Sequence, residues 1–164
     1  MCVVAKVIYD ELKMNKKVYV ADSFEGLPRP DQNKYPADKN DTHYLSEYLK
    51  VSVDEVKEIF NYFDCLDDNV IFIKGWFKDT LPSLNIDKIS ILRLDGDMYE
   101  STINALDSLY HKLSIGGYCV IDDYRHRGCF MAVEDFRKKH NITEEIIKIC
   151  EKQIDEIHYW IKEK

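Results

Sequence analysis

The chain has 164 residues, 45% of them hydrophobic and 32% charged, with 30 acidic against 23 basic residues and a formal net charge of -7. That length favours one domain over residues 1–164, the composition excludes a disordered chain, and an acidic balance with no clustered Lys/Arg block argues against a nucleic acid partner. No apolar run reaches the roughly 18–20 residues of a membrane helix and the N-terminus lacks the plan of a signal peptide, so a cytoplasmic protein without a membrane partner is expected.

Val3, Val4, Val7, Ile8 and Leu12 have helical spacing, and Val18 to Ala21 then read as a short strand ending on Asp22. Residues 23–50 carry Gly26, Pro28, Pro30 and Pro36 among many polar residues, the composition of a long connection, and long connections are often binding loops. Ser52 and Glu55 have the spacing of a capping box, and Val53, Val56, Ile59, Phe60 and Phe63 continue as one helical face. Val70–Ile73 and Ile89–Leu94 are apolar runs that read as strands buried in a sheet, the second interrupted by Ser90 and Arg93.

From Tyr99 the spacing of Ile103, Leu106, Leu109, Tyr110 and Leu113 predicts a helix that Gly116-Gly117 stops. Tyr118–Ile121 is a strand running into Asp122-Asp123, and a helix carrying Ala132, Val133 and Phe136 follows. Ile146–Ile149 and His158–Ile161 read as a last pair of strands, joined by the polar stretch 151–156 and therefore antiparallel. Strands alternating with helices mean an α/β sandwich with a mostly parallel sheet.

The five cysteines (Cys2, Cys65, Cys119, Cys129, Cys150) are odd in number and lack any C-x-x-C, so reduced thiols are expected, with neither a disulfide framework nor a zinc site. His126 with Cys129 is the nearest approach to a metal pair, and it reads more simply as a loop histidine near a half-buried thiol.

Carboxylates close three predicted strands: Asp22 the first, Asp95 and Asp97 another, Asp122 and Asp123 a third. In open α/β sheets ligands bind at the carboxyl ends of strands. One Asp there is an ordinary turn residue; acids at three strand ends point to a site. Clustered carboxylates repel, and an all-oxygen donor set suits magnesium, calcium or manganese better than zinc. A strand-end acid can also accept hydrogen bonds from ribose hydroxyls, the role open to Asp22. Among the six glycines there is no G-x-G-x-x-G or G-x-x-x-x-G-K, and neither G-x-S-x-G nor H-E-x-x-H occurs.

Four segments together, Asp22-Ser23-Phe24-Glu25-Gly26-Leu27-Pro28, Gly75 to Pro82, Leu92-Arg93-Leu94-Asp95-Gly96-Asp97-Met98-Tyr99-Glu100-Ser101-Thr102, and Gly116-Gly117-Tyr118 to Asp122-Asp123-Tyr124, resemble the macrocin O-methyltransferase family. The likeness runs in the family's order from about Val18 to Trp160 and includes Tyr159-Trp160. It implies a Rossmann-like class I fold and an S-adenosylmethionine-dependent, Mg2+-assisted methyltransferase. The implied acceptor is a sugar hydroxyl of a natural product or other small-molecule glycoside.

Carried over by the resemblance, Asp22 holds the cofactor ribose with Ser23 and Phe24 beside it, and Gly75 and Trp76, with Phe77, border the adenine. Asp95, Asp122 and Asp123 match the magnesium-binding acids, and Asp95 is the candidate for deprotonating the acceptor. Asp97, Tyr99 and Tyr124 either orient these acids or serve as a helix cap and core residues; Trp76 and Phe77 are equally readable as core. His43, His126 and His158 are possible bases that spacing alone does not support.

The family pattern also includes a first strand with a glycine-bearing acidic turn, for which no counterpart precedes Val3. A truncated chain is therefore expected, with the strand edges beside the gap either open or paired directly. The alternative function is a catalytically inactive fragment acting at most as a binding scaffold. A homo-oligomer is a further possibility.

Overall fold

The computed structural model describes residues 1–149 and 157–164. Its contacts gather into two compact units, Met1–Pro28 with His43–Trp76, and Arg29–Thr42 with Phe77–Lys164.

In the first unit, helix α1 (Cys2–Glu11) precedes strand β1 (Val18–Asp22), and helix α2 (Val53–Tyr62) precedes strand β2 (Val70–Lys74). β1 and β2 pair in parallel, Val18 opposite Val70 and Asp22 opposite Lys74. The capping box is formed: the Ser52 hydroxyl accepts from the Glu55 amide at 3.2 Å, and the Glu55 carboxylate accepts from the Ser52 amide at 2.8 Å. The core is Phe60, Cys65 and Val70, onto which α1 lays Cys2, Val3 and Val7 and α2 lays Val56. Lys6 is buried on α1, and its ammonium is held by Asp10 and by Asp67 at 2.9 Å. Those two carboxylates outweigh the burial that would lower the lysine pKa, which ends raised.

In the second unit, the short helix α3 (Phe77–Thr80) leads to strand β3 (Ile89–Leu94), helix α4 (Tyr99–Leu109), strand β4 (Leu113–Ile121), helix α5 (Arg127–Lys139), strand β5 (Ile147–Lys148) and strand β6 (His158–Ile161). The sheet order is β3-β4-β6-β5; β3 and β4 are parallel, and β6 is antiparallel to both neighbours. Leu92, Leu94, Cys119, Ile121 and Trp160 are buried on this sheet, as are Leu106 on α4 and Phe136 on α5. Trp160 donates its indole N–H to the Tyr110 hydroxyl at 3.1 Å, so the one polar atom of a fully buried ring is satisfied.

Three expectations need correction. The helix from Tyr99 ends at Leu109, and a 3-10 turn over Tyr110–Lys112 turns the chain into β4, which begins at Leu113 and contains Gly116 and Gly117. Those glycines therefore sit in a strand, not at a helix end: Gly116 has φ +78, and a Cβ on Gly117 would meet the Ser114 carbonyl oxygen at 2.8 Å. β3 is not buried throughout, since Ser90 and Ile91 are exposed. The long connection includes 3-10 turns at Pro36–Asp38, His43–Leu45 and Glu47–Leu49. The strand read over 146–149 is confined to Ile147–Lys148, antiparallel to β6 as expected. Cys2, Cys65, Cys119 and Cys129 are free thiols, whereas Cys150 and the stretch 151–156 lie outside the described residues. No helix among the described residues is long and apolar enough to cross a membrane.

Candidate functional site

The expected residues fall into two sets, one in each unit. In the first, Asp22 ends β1 exposed to solvent, and its carboxylate accepts the Phe24 amide at 2.6 Å. That bond holds a turn in which Phe24 adopts φ 57 and packs its buried ring 6.3 Å from that of Phe72. The Ser23 hydroxyl is occupied within the turn, donating to the Gly26 carbonyl at 2.6 Å and accepting the Glu25 amide at 3.0 Å. Gly75 follows β2 and donates its amide to the Asp22 carbonyl at 2.9 Å, which places Gly75 and Trp76 next to Asp22 at the carboxyl end of this sheet. Ser23 and Phe24 thus shape the turn, while Asp22 is exposed and Gly75 and Trp76 are partly buried.

The second set lies at the carboxyl ends of β3 and β4. Leu94 pairs with Ile121 and the Asp122 amide donates to the Leu94 carbonyl at 2.9 Å, so parallel pairing sets Asp95 beside Asp122. Gly96 allows the chain to leave β3 close under α4, where a Cβ would come within 2.9 Å of Ser101. Asp97 then takes φ 56, a left-handed conformation uncommon for a residue with a side chain, and donates its amide to Asp123 Oδ2 at 3.0 Å. Ligand atoms of Asp95, Asp122 and Asp123 all lie within 4.8 Å of one another, and those of Asp97, Asp123 and His126 likewise.

Charge in this second set is unevenly balanced. Arg93, half-buried on β3, donates to Asp95 Oδ2 at 2.6 Å and lies 2.8 Å from Asp122 Oδ2 through its other terminal nitrogen. Asp123 is pushed up to about 7 by burial first and then by the charges of Asp97, Asp95 and Asp122, against the Asp97 amide that favours its ionised form. Carboxylates in this number, partly withdrawn from water, are short of positive charge.

The macrocin-O-methyltransferase (TylF) family profile matches residues 1–161. The chain belongs to this family. It is 45% identical over 137 residues to demethyldecarbamoylnovobiocin O-methyltransferase of Streptomyces niveus, a match covering 82% of this chain and 52% of that protein. With mycinamicin III 3''-O-methyltransferase of Micromonospora griseorubida it shares 38% identity over 149 residues, 89% of this chain and 57% of that one. The solved structure of the O-methyltransferase NovP superposes with a TM-score of 0.93 at 39% identity, covering 99% of this chain and 67% of that chain. Calicheamicin methyltransferase CalS11 superposes at 0.74 with 15% identity, covering 97% and 65%, a likeness of fold alone. The fold is the Rossmann-like class I methyltransferase sandwich. This chain spans about half the length of the curated relatives it matches.

In this macrocin O-methyltransferase family member Arg93 and Asp38, which sequence reasoning did not single out, and His126, which it left unsupported, shape the acid-rich strand ends. Arg93 reads in sequence as an interruption of an apolar run; its position two residues before Asp95 is the signal, because i and i+2 share a strand face. His126 places its Nδ1 2.9 Å from Asp97 Oδ1, and Cys129, read in sequence as half-buried, is a buried thiol pushed up to about 12 by desolvation. Asp38, from the long connection, accepts the amides of Tyr99 at 2.6 Å and Glu100 at 3.0 Å, so it caps α4 across 61 residues of sequence. Asp97 therefore is not the cap of α4. Tyr99 and Tyr124 send their hydroxyls to Asp135 and Glu134 on α5, at 3.0 and 2.9 Å.

Proposed function

We propose that this chain forms the catalytic part of an S-adenosylmethionine-dependent, magnesium-assisted O-methyltransferase that acts on a sugar hydroxyl of a natural product or other glycoside. The observation that carries the reading is the convergence of Asp95, Asp122 and Asp123 at neighbouring strand ends in a chain of this family. The named relatives methylate novobiocin- and mycinamicin-type compounds, which supports a glycoside acceptor.

The donor chemistry fits a hard divalent ion: oxygen atoms only, from carboxylates within 4.8 Å of one another, one of them raised toward neutrality by burial and the charge of its neighbours. Asp95, Asp122 and Asp123 would hold the metal. Asp22, an exposed acid at the end of a parallel strand, would take the ribose hydroxyls, with Ser23 and Phe24 forming its turn and Gly75 and Trp76 bordering the base. When bound, S-adenosylmethionine would supply the methyl group, its S–CH3 bond breaking to leave S-adenosylhomocysteine, and magnesium would supply positive charge that makes a sugar hydroxyl easier to ionise. Asp95 accepts the proton that the acceptor hydroxyl loses as it is methylated.

Label transfer tests this reading. With methyl-labelled S-adenosylmethionine, Mg2+ and a panel of deoxysugar glycosides, the chain is expected to label at least one glycoside and Asp95→Asn to label none. Equal labelling by both forms, or none by the native chain, contradicts the assignment. A second reading, a methyltransferase-fold scaffold that binds without catalysing, is favoured by one feature: among the described residues β1 and β3 each pair along one edge only.

A further inference from the structure

We infer that Arg93 is a built-in counter-cation of the acid cluster, one that competes with a divalent ion for Asp95 and Asp122 and so sets how tightly the cluster holds that ion. The inference rests on the metal reading proposed above and concerns a residue outside the ligand set.

Arg93 is the next-to-last residue of β3 and Asp95 follows the strand directly, and Asp122 stands beside them because Leu94 pairs with Ile121. One guanidinium therefore spans the two strand ends, its Nη1 2.6 Å from Asp95 Oδ2 and its Nη2 2.8 Å from Asp122 Oδ2. A guanidinium keeps its proton in a protein, so this positive charge is permanent. It does two things. It bridges the two carboxylates, and it offsets part of the negative charge that Asp95, Asp122 and Asp123 would offer to an incoming cation. Affinity at such oxygen sites follows ligand charge count and rigidity. Asp123, whose carboxylate accepts the Asp97 amide, carries the repulsion that remains.

A purely structural ion pair and a competing counter-cation make opposite predictions for metal affinity. If Arg93 only holds its partners in place, removing it disorders two ligands and weakens binding. If it competes, removing its charge tightens binding.

The probe is Mn2+, read by loss of the free-ion electron paramagnetic resonance signal on titration into the chain. Arg93→Gln, which removes the charge and keeps a donor, is expected to bind Mn2+ about tenfold more tightly than the native chain. Arg93→Lys, which keeps the charge, is expected to stay within about threefold. Unchanged or weaker binding by Arg93→Gln, with the native chain binding, overturns the inference and leaves the metal reading standing. Absence of binding in all three folded forms overturns both. Should Arg93→Gln be too unstable to titrate, its melting temperature replaces affinity: Mn2+ is expected to raise it more than it raises that of the native chain, and an equal or smaller rise overturns the inference.

Discussion

Asp22 closes a parallel strand and Asp123 lies just beyond one, yet their surroundings are opposite. Asp22 is exposed, with a carboxylate oxygen that accepts the amide two residues on. Asp123 is half-buried among Asp95, Asp97 and Asp122 and is driven up to about 7. The single acid at the end of β1 accepts a hydrogen bond from its own turn. Around Asp123 several carboxylates gather, and the Arg93 guanidinium reaches two of them, Asp95 and Asp122. The difference teaches that equal residues at comparable strand ends meet different electrostatic surroundings, which under the proposed function would suit an uncharged diol at Asp22 and a cation at Asp123.

The widest break in that comparison is a crosswise pair of variants. Asp123→Ala is expected to weaken Mn2+ binding about a hundredfold or more while Asp22→Ala leaves it unchanged. In calorimetry, Asp22→Ala is expected to weaken S-adenosylhomocysteine binding by about tenfold, the loss of charge-assisted hydrogen bonds to two hydroxyls. Variants that each depress both ligands equally would erase the distinction.

A smaller effect sharpens it. Asp38 is a third setting, a buried acid answered by the N-terminus of α4, and burial holds its carboxyl above the ordinary range despite the amides of Glu100 and Tyr99. Folded Asp38 thus binds its proton more tightly than the unfolded chain does. Its contribution to stability is greatest below the unfolded value of about 4 and is lost as pH rises through the raised folded value. Asp38→Asn is expected to remove that slope, a change below about 1 kcal/mol, seen by urea denaturation at a series of pH values. A slope unaltered by Asp38→Asn would place the proton elsewhere.

Local chemistry made much of the fold legible. Ser52 and Glu55 announced α2, and apolar runs announced β1, β2 and β6 because hydrogen bonds between near neighbours and strand periodicity are written in adjacent residues. Gly116 and Gly117 misled because glycine also ends helices, and only the approach of the Ser114 carbonyl shows why a strand needs one there. The strand-end acids were legible as positions, but not their balance of charge. Arg93 looked like a flaw in an apolar strand, and Asp38 lies 61 residues from the helix it caps. No short-range pattern encodes such a contact.

The most direct test of the account is calorimetric titration of S-adenosylhomocysteine into the native chain, with and without Mg2+. The account predicts saturable one-to-one binding that Asp22→Ala weakens. Heats that never saturate, in either the presence or the absence of Mg2+, from a chain shown to be folded by its circular dichroism, would contradict it.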